Sequence, residues 1–351
     1  MYCISHNILS PLGDTSKANL QAVMCGKSAL RVYDTCFPDT EPFCASMFAQ
    51  HTGFTDLCVA SAEAAIGSCG IDAADRRTVF VVSTTKGDNL DLLTPAQKIA
   101  AHFGNPNMPI VVSNACISGV SVQIAASRLL AEGDYDHAVV IGCDVLSKFI
   151  VSGFQSFKAL SAAPCMPFDA SRTGLNLGEA AATMVWTHTP PTGAGSWQYM
   201  AGSMHNDANH ISGPSRTGEG SYRCLRDILD VVPSSAIDMV SVHGTATMYN
   251  DEMESIALHR AGLCDVPVAV FKGYYGHTLG AAGVLETILS MLLMEQQTVI
   301  GNPRYHTCGT TYPLNVQAEN RRLEGSHGTF IKMLSGFGGC NAAACFRYCP
   351  L

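Results

Sequence analysis

"VVSNACISGV", residues 111–120, is the stretch on which the fold turns. Ile110, Val111 and Val112 form an apolar, β-forming run into Asn114-Ala115-Cys116, and the small pair Ser118-Gly119 follows. Beyond it, "VQIAASRLLAEGD" (122–134) sets Val122, Ala125, Ala126, Leu129 and Leu130 at helical spacing. A buried strand therefore bends sharply into a helix, with a thiol at the bend. There the positive end of the helix dipole would lower the thiol pKa and favour the thiolate. The competing reading is an ordinary core cysteine, one of 15 in the chain.

Outward from the bend, strand-like runs alternate with helical ones. The strands are "TVFVVSTT" (78–85), "PIVVSNA" (109–115), "HAVVIGCDVL" (137–146), "AATMVWTH" (181–188), "IDMVSVHGT" (237–245) and "VPVAVFKG" (266–273). Helical patterns include "DLCVASAEAAIGSCG" (56–70) and "AAGVLETILSMLLMEQQ" (281–297). Such alternation predicts an α/β protein with mostly parallel sheets covered by helices. One Pro/Gly-rich joint, "HTPPTGAGS" (188–196), falls near the middle and predicts two similar halves sharing a core, although no sequence repeat is legible.

With 351 residues, 47% hydrophobic, 14% charged and 32 glycines, the chain suits large, well-buried α/β sheets and excludes disorder. The net charge of −8 and the lack of any basic run argue against nucleic acid. Residues 103–127 carry no charge, but Asn105, Pro106, Asn107, Pro109, Asn114 and Gln123 argue against a lipid-facing helix. Scattered cysteines, without a basic-then-apolar leader in "MYCISHNILSPLG", predict reduced thiols in a cytoplasmic protein.

Two histidines also stand at strand ends, where α/β sheets place their sites. His243 follows "DMVSV" in "SVHGTAT"; its bland reading is a histidine holding a loop. His277 lies in "KGYYGHTLGAAG", whose glycines at 273, 276, 280 and 283 let backbone or ligand approach the next helix. No phosphate-loop pattern is present. "SGFGGCNAAA" (335–344) holds Phe337 among glycines, as a mobile aromatic loop or a tight turn into a last strand. One thiol with two neutral hydrogen-bond donors suits acyl transfer to sulfur followed by enolate stabilisation. A cysteine acyl hydrolase would use one histidine and an orienting carboxylate, leaving the second histidine and Lys272 without a role.

These motifs together resemble the β-ketoacyl-acyl carrier protein synthases, condensing enzymes of the thiolase-like superfamily in fatty-acid and type II polyketide synthesis. The resemblance runs from "NILSPLGDTSKANLQAVMCGKSAL" through "NACISGV", "PFDASRTGLNLGEAAA" and "HGTATMYNDEMES" to "FKGYYGHTLGAAGVLE" and "GFGGCNAA". It implies two βαβαβαββ halves in a five-layer α-β-α-β-α sandwich, here 1–190 with the cysteine and 191–351 with the histidines. It also implies decarboxylative condensation of an acyl thioester with malonyl-acyl carrier protein. Cys116 would accept the acyl group, His243 and His277 would promote decarboxylation, and Lys272 would be the active-site lysine. Asp251, Glu254 and Glu286 match the acidic partners, and Thr245 and Thr247 the phosphopantetheine contacts. The N–H groups of Cys116 and Phe337 match the oxyanion hole, and the Phe337 ring a gate.

The implied partners are acyl carrier protein and a homologous subunit in a homo- or heterodimer. Neither a metal nor a cofactor beyond the carrier's phosphopantetheine is implied. The chain departs from the pattern in being short, in Ser335 at a frequent phenylalanine position, and in having only eight lysines for an acidic carrier. A chain-length-factor subunit with mainly a partner role generally lacks the cysteine that stands here at 116. A thiolase would need a second catalytic cysteine, for which Cys340 is the candidate.

Overall fold

The computed structural model describes every residue except Thr35, His51, Gly193, Ala194, Ser326, His327 and Leu351. From the N-terminus, β1 (Tyr2–Leu9) leads through α1 (Ser16–Met24), β2 (Arg31–Tyr33) and β3 (Phe43–Ser46) to α2 (Phe54–Cys69). Then come β4 (Thr78–Ser83), α3 (Leu93–His102), β5 (Ile110–Val112), α4 (Ser118–Glu132), β6 (His137–Asp144) and α5 (Lys148–Ser156). β7 (Leu177–Gly178) and β8 (Ala180–Thr187) precede the 188–196 joint, of which Gly193 and Ala194 lie outside the described residues. The chain continues with β9 (Ser196–Asn206), α6 (Glu219–Leu229), β10 (Met239–Ser241), α7 (Met248–Arg260), β11 (Val268–Ala269) and the one-turn α8 (Lys272–Tyr275). It ends with α9 (Ala282–Glu295), β12 (Thr298–Val299), β13 (Arg321–Arg322), β14 (Thr329–Gly336) and β15 (Cys340–Cys349).

Ten of these strands form one ladder in the order β11-β10-β14-β15-β9-β1-β8-β6-β4-β5. Read outward from its middle, β1-β8-β6-β4-β5 repeats the order of β9-β15-β14-β10-β11. In both sets two antiparallel pairings are followed by two parallel ones. The sets meet only where Tyr2 and Cys3 pair with Gln198 and Trp197. Helices α4 and α9 touch strands of both sets and form the layer between them, whereas α2 covers one outer face and α6 the other. This is the five-layer arrangement of the thiolase-like fold.

The expectation of mostly parallel sheets is wrong. Five of the nine pairings are antiparallel, because β8 and β15 run back through the middle of their sets beside β1 and β9. β15 returns through a tight turn at Phe337-Gly338-Gly339, with both glycines at positive φ. The sequence runs were also too long. Strand structure at 109–115 is confined to Ile110–Val112, at 237–245 to Met239–Ser241, and at 266–273 to Val268–Ala269, so Lys272 belongs to a helical turn. In each case the chain leaves the sheet to bring a polar residue toward the site.

Two glycines set the spacing of the central layer. A Cβ on Gly119 of α4 would lie 2.6 Å from the Gly283 backbone nitrogen of α9, so the helices cross backbone against backbone. That contact brings the start of α4, with Cys116, beside the start of α9 and the histidine turn before it. No described helix is long and apolar enough to cross a membrane.

Candidate active site

The bend carrying Cys116 is built by local hydrogen bonds. Ala115 adopts φ 43°, a left-handed conformation unusual for a residue with a side chain. Ser118 Oγ accepts from the Asn114 N–H and donates to the Ala115 carbonyl, both at 2.7 Å, locking the turn. Cys116 is thereby placed two residues ahead of α4, only 7% exposed. Burial works against the lowering expected from the helix start. Burial pushes the thiol up to about 11, although the Phe337 N–H and the Lys272 ammonium pull it down. Burial is the largest influence because Cys116 is only 7% exposed.

His243 sits in a loop pinned by two carboxylates one turn apart on α7. Glu254 accepts from the N–H groups of His243 at 2.6 Å and Gly244 at 2.7 Å. Asp251 accepts from those of Thr245, Ala246 and Phe168, and Arg172 lies 3.8 Å from it. All three ionic side chains are buried. Burial raises the Asp251 carboxyl to about 6; burial and then the Asp251 charge raise Glu254 to about 7.

His277 is fully buried and follows Gly276, which is at positive φ. Its Nδ1 accepts from the Leu279 N–H at 3.2 Å, so the neutral ring carries its proton on Nε2, a buried atom with no partner. The two imidazoles meet edge to face at 4.9 Å between centroids. Burial holds both well below the ordinary histidine value, helped by the ammonium groups of Lys272 and Lys332.

Cys116, His243 and His277 converge, each placing one sulfur or ring nitrogen within 4.8 Å of the others. All three line a cavity of about 430 Å³ with Thr245, Thr247 and Phe337. Thr245 and Thr247 bond each other through their hydroxyls at 2.9 Å. The Phe337 ring packs on Phe154 and Phe157, with centroids 5.3 and 5.0 Å away. Ser335 also lines the cavity, and its hydroxyl donates to Asn341 Oδ1 at 2.9 Å. Lys272 and Glu286 do not line it; they pair behind the histidines at 2.7 Å. Cys340 is likewise absent from the lining, so no second thiol faces Cys116 there. A thiolate and two imidazoles could also ligate zinc, but two buried ammonium groups acting on those imidazoles oppose a cation at this point.

Lys332 was missed in the sequence. It lies in the apolar strand "TFIKMLSG", is fully buried, and binds Glu286 from the side opposite Lys272. A lone charge amid such a run was its only signal. Arg172, beside Asp251, was quoted within a motif but given no role.

Residues 54–189 match the family model for the N-terminal domain of β-ketoacyl synthases, and residues 199–306 that for the C-terminal domain. The 3-oxoacyl-acyl-carrier-protein synthase 2 of Rhizobium meliloti is 32% identical over 283 residues, 74% of this chain and 65% of the relative. The chain's matches span just under two thirds of the length of such curated relatives. Among solved structures, the ketosynthase ApeO in complex with its chain length factor ApeC from Xenorhabdus doucetiae superposes with TM-score 0.88. It is 23% identical, with 99% of this chain and 98% of that chain covered. A type II polyketide acyl carrier protein in complex with its hexaketide-bound ketosynthase (AntDE:AntF) gives 0.85, 20%, 99% and 98%. At these identities the superpositions speak for the fold, and the sequence matches add what the fold alone does not. The chain belongs to the β-ketoacyl synthase family.

Proposed function

We propose that the chain is a condensing enzyme that extends an acyl thioester by two carbons from malonyl-acyl carrier protein, releasing CO2. The observation that carries this is the convergence of the Cys116 thiol on two neutral, buried imidazoles in one cavity. In the first half-reaction Cys116 sulfur attacks the acyl carbonyl, giving its proton to the departing carrier thiol. The Cys116 and Phe337 N–H groups are proposed to hold the oxyanion. In support, the Phe337 N–H lies against the thiol, and Gly336 packs so closely that a Cβ would sit 3.1 Å from the Cys116 nitrogen.

In the second half-reaction malonyl thioester loses CO2, and its two bonding electrons pass into the thioester as an enolate. The enolate oxygen forms beside His277 Nε2–H and the His243 ring, donors already in place and shielded from water. The enolate carbon then attacks the acyl-Cys116 carbonyl, and the cysteine leaves as thiolate and takes up one proton from solvent, the one consumed per turnover. Lys272 acts on the histidines through its charge rather than by contact. Asp251 and Glu254 fix the His243 loop, and Thr245 and Thr247 take the phosphopantetheine arm. Phe337 is the gate, its ring resting on two phenylalanines beside a glycine turn.

The acyl carrier protein and a homologous subunit are the proposed partners, with the halves 1–190 and 191–351 dividing the thiol from the histidines. The repeated strand order supports that division, and the 15 unpaired thiols suit a reducing cytoplasm. The proposal needs no cofactor beyond the carrier's own arm. Incubation with acyl and malonyl carrier proteins, followed by mass spectrometry of the carrier, tests the reaction. A β-ketoacyl carrier two carbons longer is expected. Free acid as the only product would make the chain a hydrolase, and no turnover with any partner a docking subunit.

A further inference from the structure

β14 is apolar on both faces, with Phe330, Ile331, Met333 and Leu334 buried, yet Lys332 stands in its middle with no exposure. An ammonium so placed must find acceptors or lose its proton. Its Nζ donates to the Val242 carbonyl at 3.0 Å, to the Ser241 carbonyl at 3.4 Å, and to Glu286 Oε2. Glu286 Oε1 takes Lys272 Nζ. One carboxylate is thus shared between two ammonium groups, so this triad carries one more positive charge than negative. Val242 directly precedes His243, so this charge lies at the base of the histidine loop. The charged or titratable groups facing Lys332 are Glu286 on α9, Lys272 on α8, Glu254 on α7, and the two histidines.

We propose that Lys332 is a positioning residue of the site: by sharing Glu286 with Lys272 it leaves the histidine pair facing net positive charge, which keeps both imidazoles neutral. Its importance for catalysis rests on the condensing reading, since only the neutral ring keeps Nδ1 as acceptor of the Leu279 N–H while Nε2–H is aimed at the enolate oxygen. A lysine that merely filled a hole beside Glu286 would not influence how the histidines titrate.

The experiment follows the imidazole Cε1–H resonances by NMR over roughly pH 5–8, the range in which histidines ordinarily titrate. Wild type is compared with Lys332→Met, and the signals are assigned with His243→Ala and His277→Ala. Lys332→Met leaves Glu286 and Lys272 as a balanced pair, so His243, His277 or both should titrate at higher pH than in wild type. Adding Glu286→Gln restores the excess positive charge and should return the titration toward the wild-type position. If Lys332→Met does not fold, Lys332→Gln, whose amide still reaches a carbonyl, carries the same expectation. Unmoved histidines in the neutral variant overturn the proposal, as does a double variant shifted further upward.

Decarboxylation of malonyl carrier protein, assayed in the Cys116→Gln background, gives the kinetic counterpart. Its rate at pH ~6 relative to pH ~8 should fall about tenfold when Lys332 is neutralised, one pH unit being a factor of ten in protonation. Moved histidines without decarboxylation in any variant would sink the condensing reading and leave Lys332's role standing. Decarboxylation with unmoved histidines would do the reverse.

Discussion

At Cys116 two influences compete: burial raises the thiol to about 11, whereas the Phe337 N–H and the Lys272 ammonium pull it down. Below that value the thiolate fraction grows with pH. Alkylation by iodoacetamide, read at the Cys116 peptide, should therefore quicken about tenfold per pH unit between roughly pH 7 and 9. A plateau before pH ~8 would mean that the thiolate is already formed. The proposed mechanism gives the histidines the other half-reaction, so Cys116→Gln should still release CO2 from malonyl carrier protein. Adding His277→Ala removes the Nε2–H donor and should slow that release by about a hundred- to a thousandfold, the usual effect of losing one such donor. An unchanged rate would take His277 out of the mechanism. Cys116 and His243 were legible because each follows an apolar run beside small residues, and His277 because it stands among four glycines, although a helical turn separates it from β11. The thiol's titration was not, because the helix dipole can be read from sequence and the depth of burial cannot. Lys332 escaped because its partner Glu286 is 46 residues away in the chain.

Among the elements, the crossing of α4 and α9 does most to hold the site together. Gly283→Ala would drive a Cβ into the Gly119 backbone, where no flexible side chain can yield. Overpacking of this kind costs roughly 1–3 kcal/mol. Urea unfolding should show a loss of that size, accompanied by slower acylation, because the helix starts carry Cys116 and the His277 turn. A variant as stable and as fast as wild type would show that the crossing does not set the geometry. Helices α2, α4 and α9 were legible to within a few residues through their 3.6-residue periodicity. Of the antiparallel strands only β6 and β8 were read as strands. β1, β9 and β14 lacked a recognised pattern, and β15 follows what read as either a mobile glycine loop or a tight turn into a last strand, so the sheets looked more parallel than they are. Strand direction is fixed by which strands become neighbours, and alternation along the chain does not encode it.

For the whole molecule, the open end of the sheet at β5 is the feature that bears on assembly. This strand ends the ladder, pairs within the chain only with β4 among the described residues, and presents the half-buried Ile110, Val111 and Val112. An apolar edge of this sort invites pairing with another strand. Light scattering at micromolar concentration should give a dimer, either of this chain or with a homologous subunit supplied to it. A fully active monomer would contradict that. The repeated five-strand order explains how the thiol and the histidines, more than a hundred residues apart, meet at the start of two crossing helices. The most direct measurement of what they do is a single-turnover experiment read by intact mass. With acyl carrier protein alone, one acyl group should appear on Cys116. On addition of malonyl carrier protein that adduct should disappear as a β-ketoacyl carrier two carbons longer forms. An adduct on Cys340 or spread over several cysteines, or loss of the acyl group as free acid, would contradict condensation through Cys116.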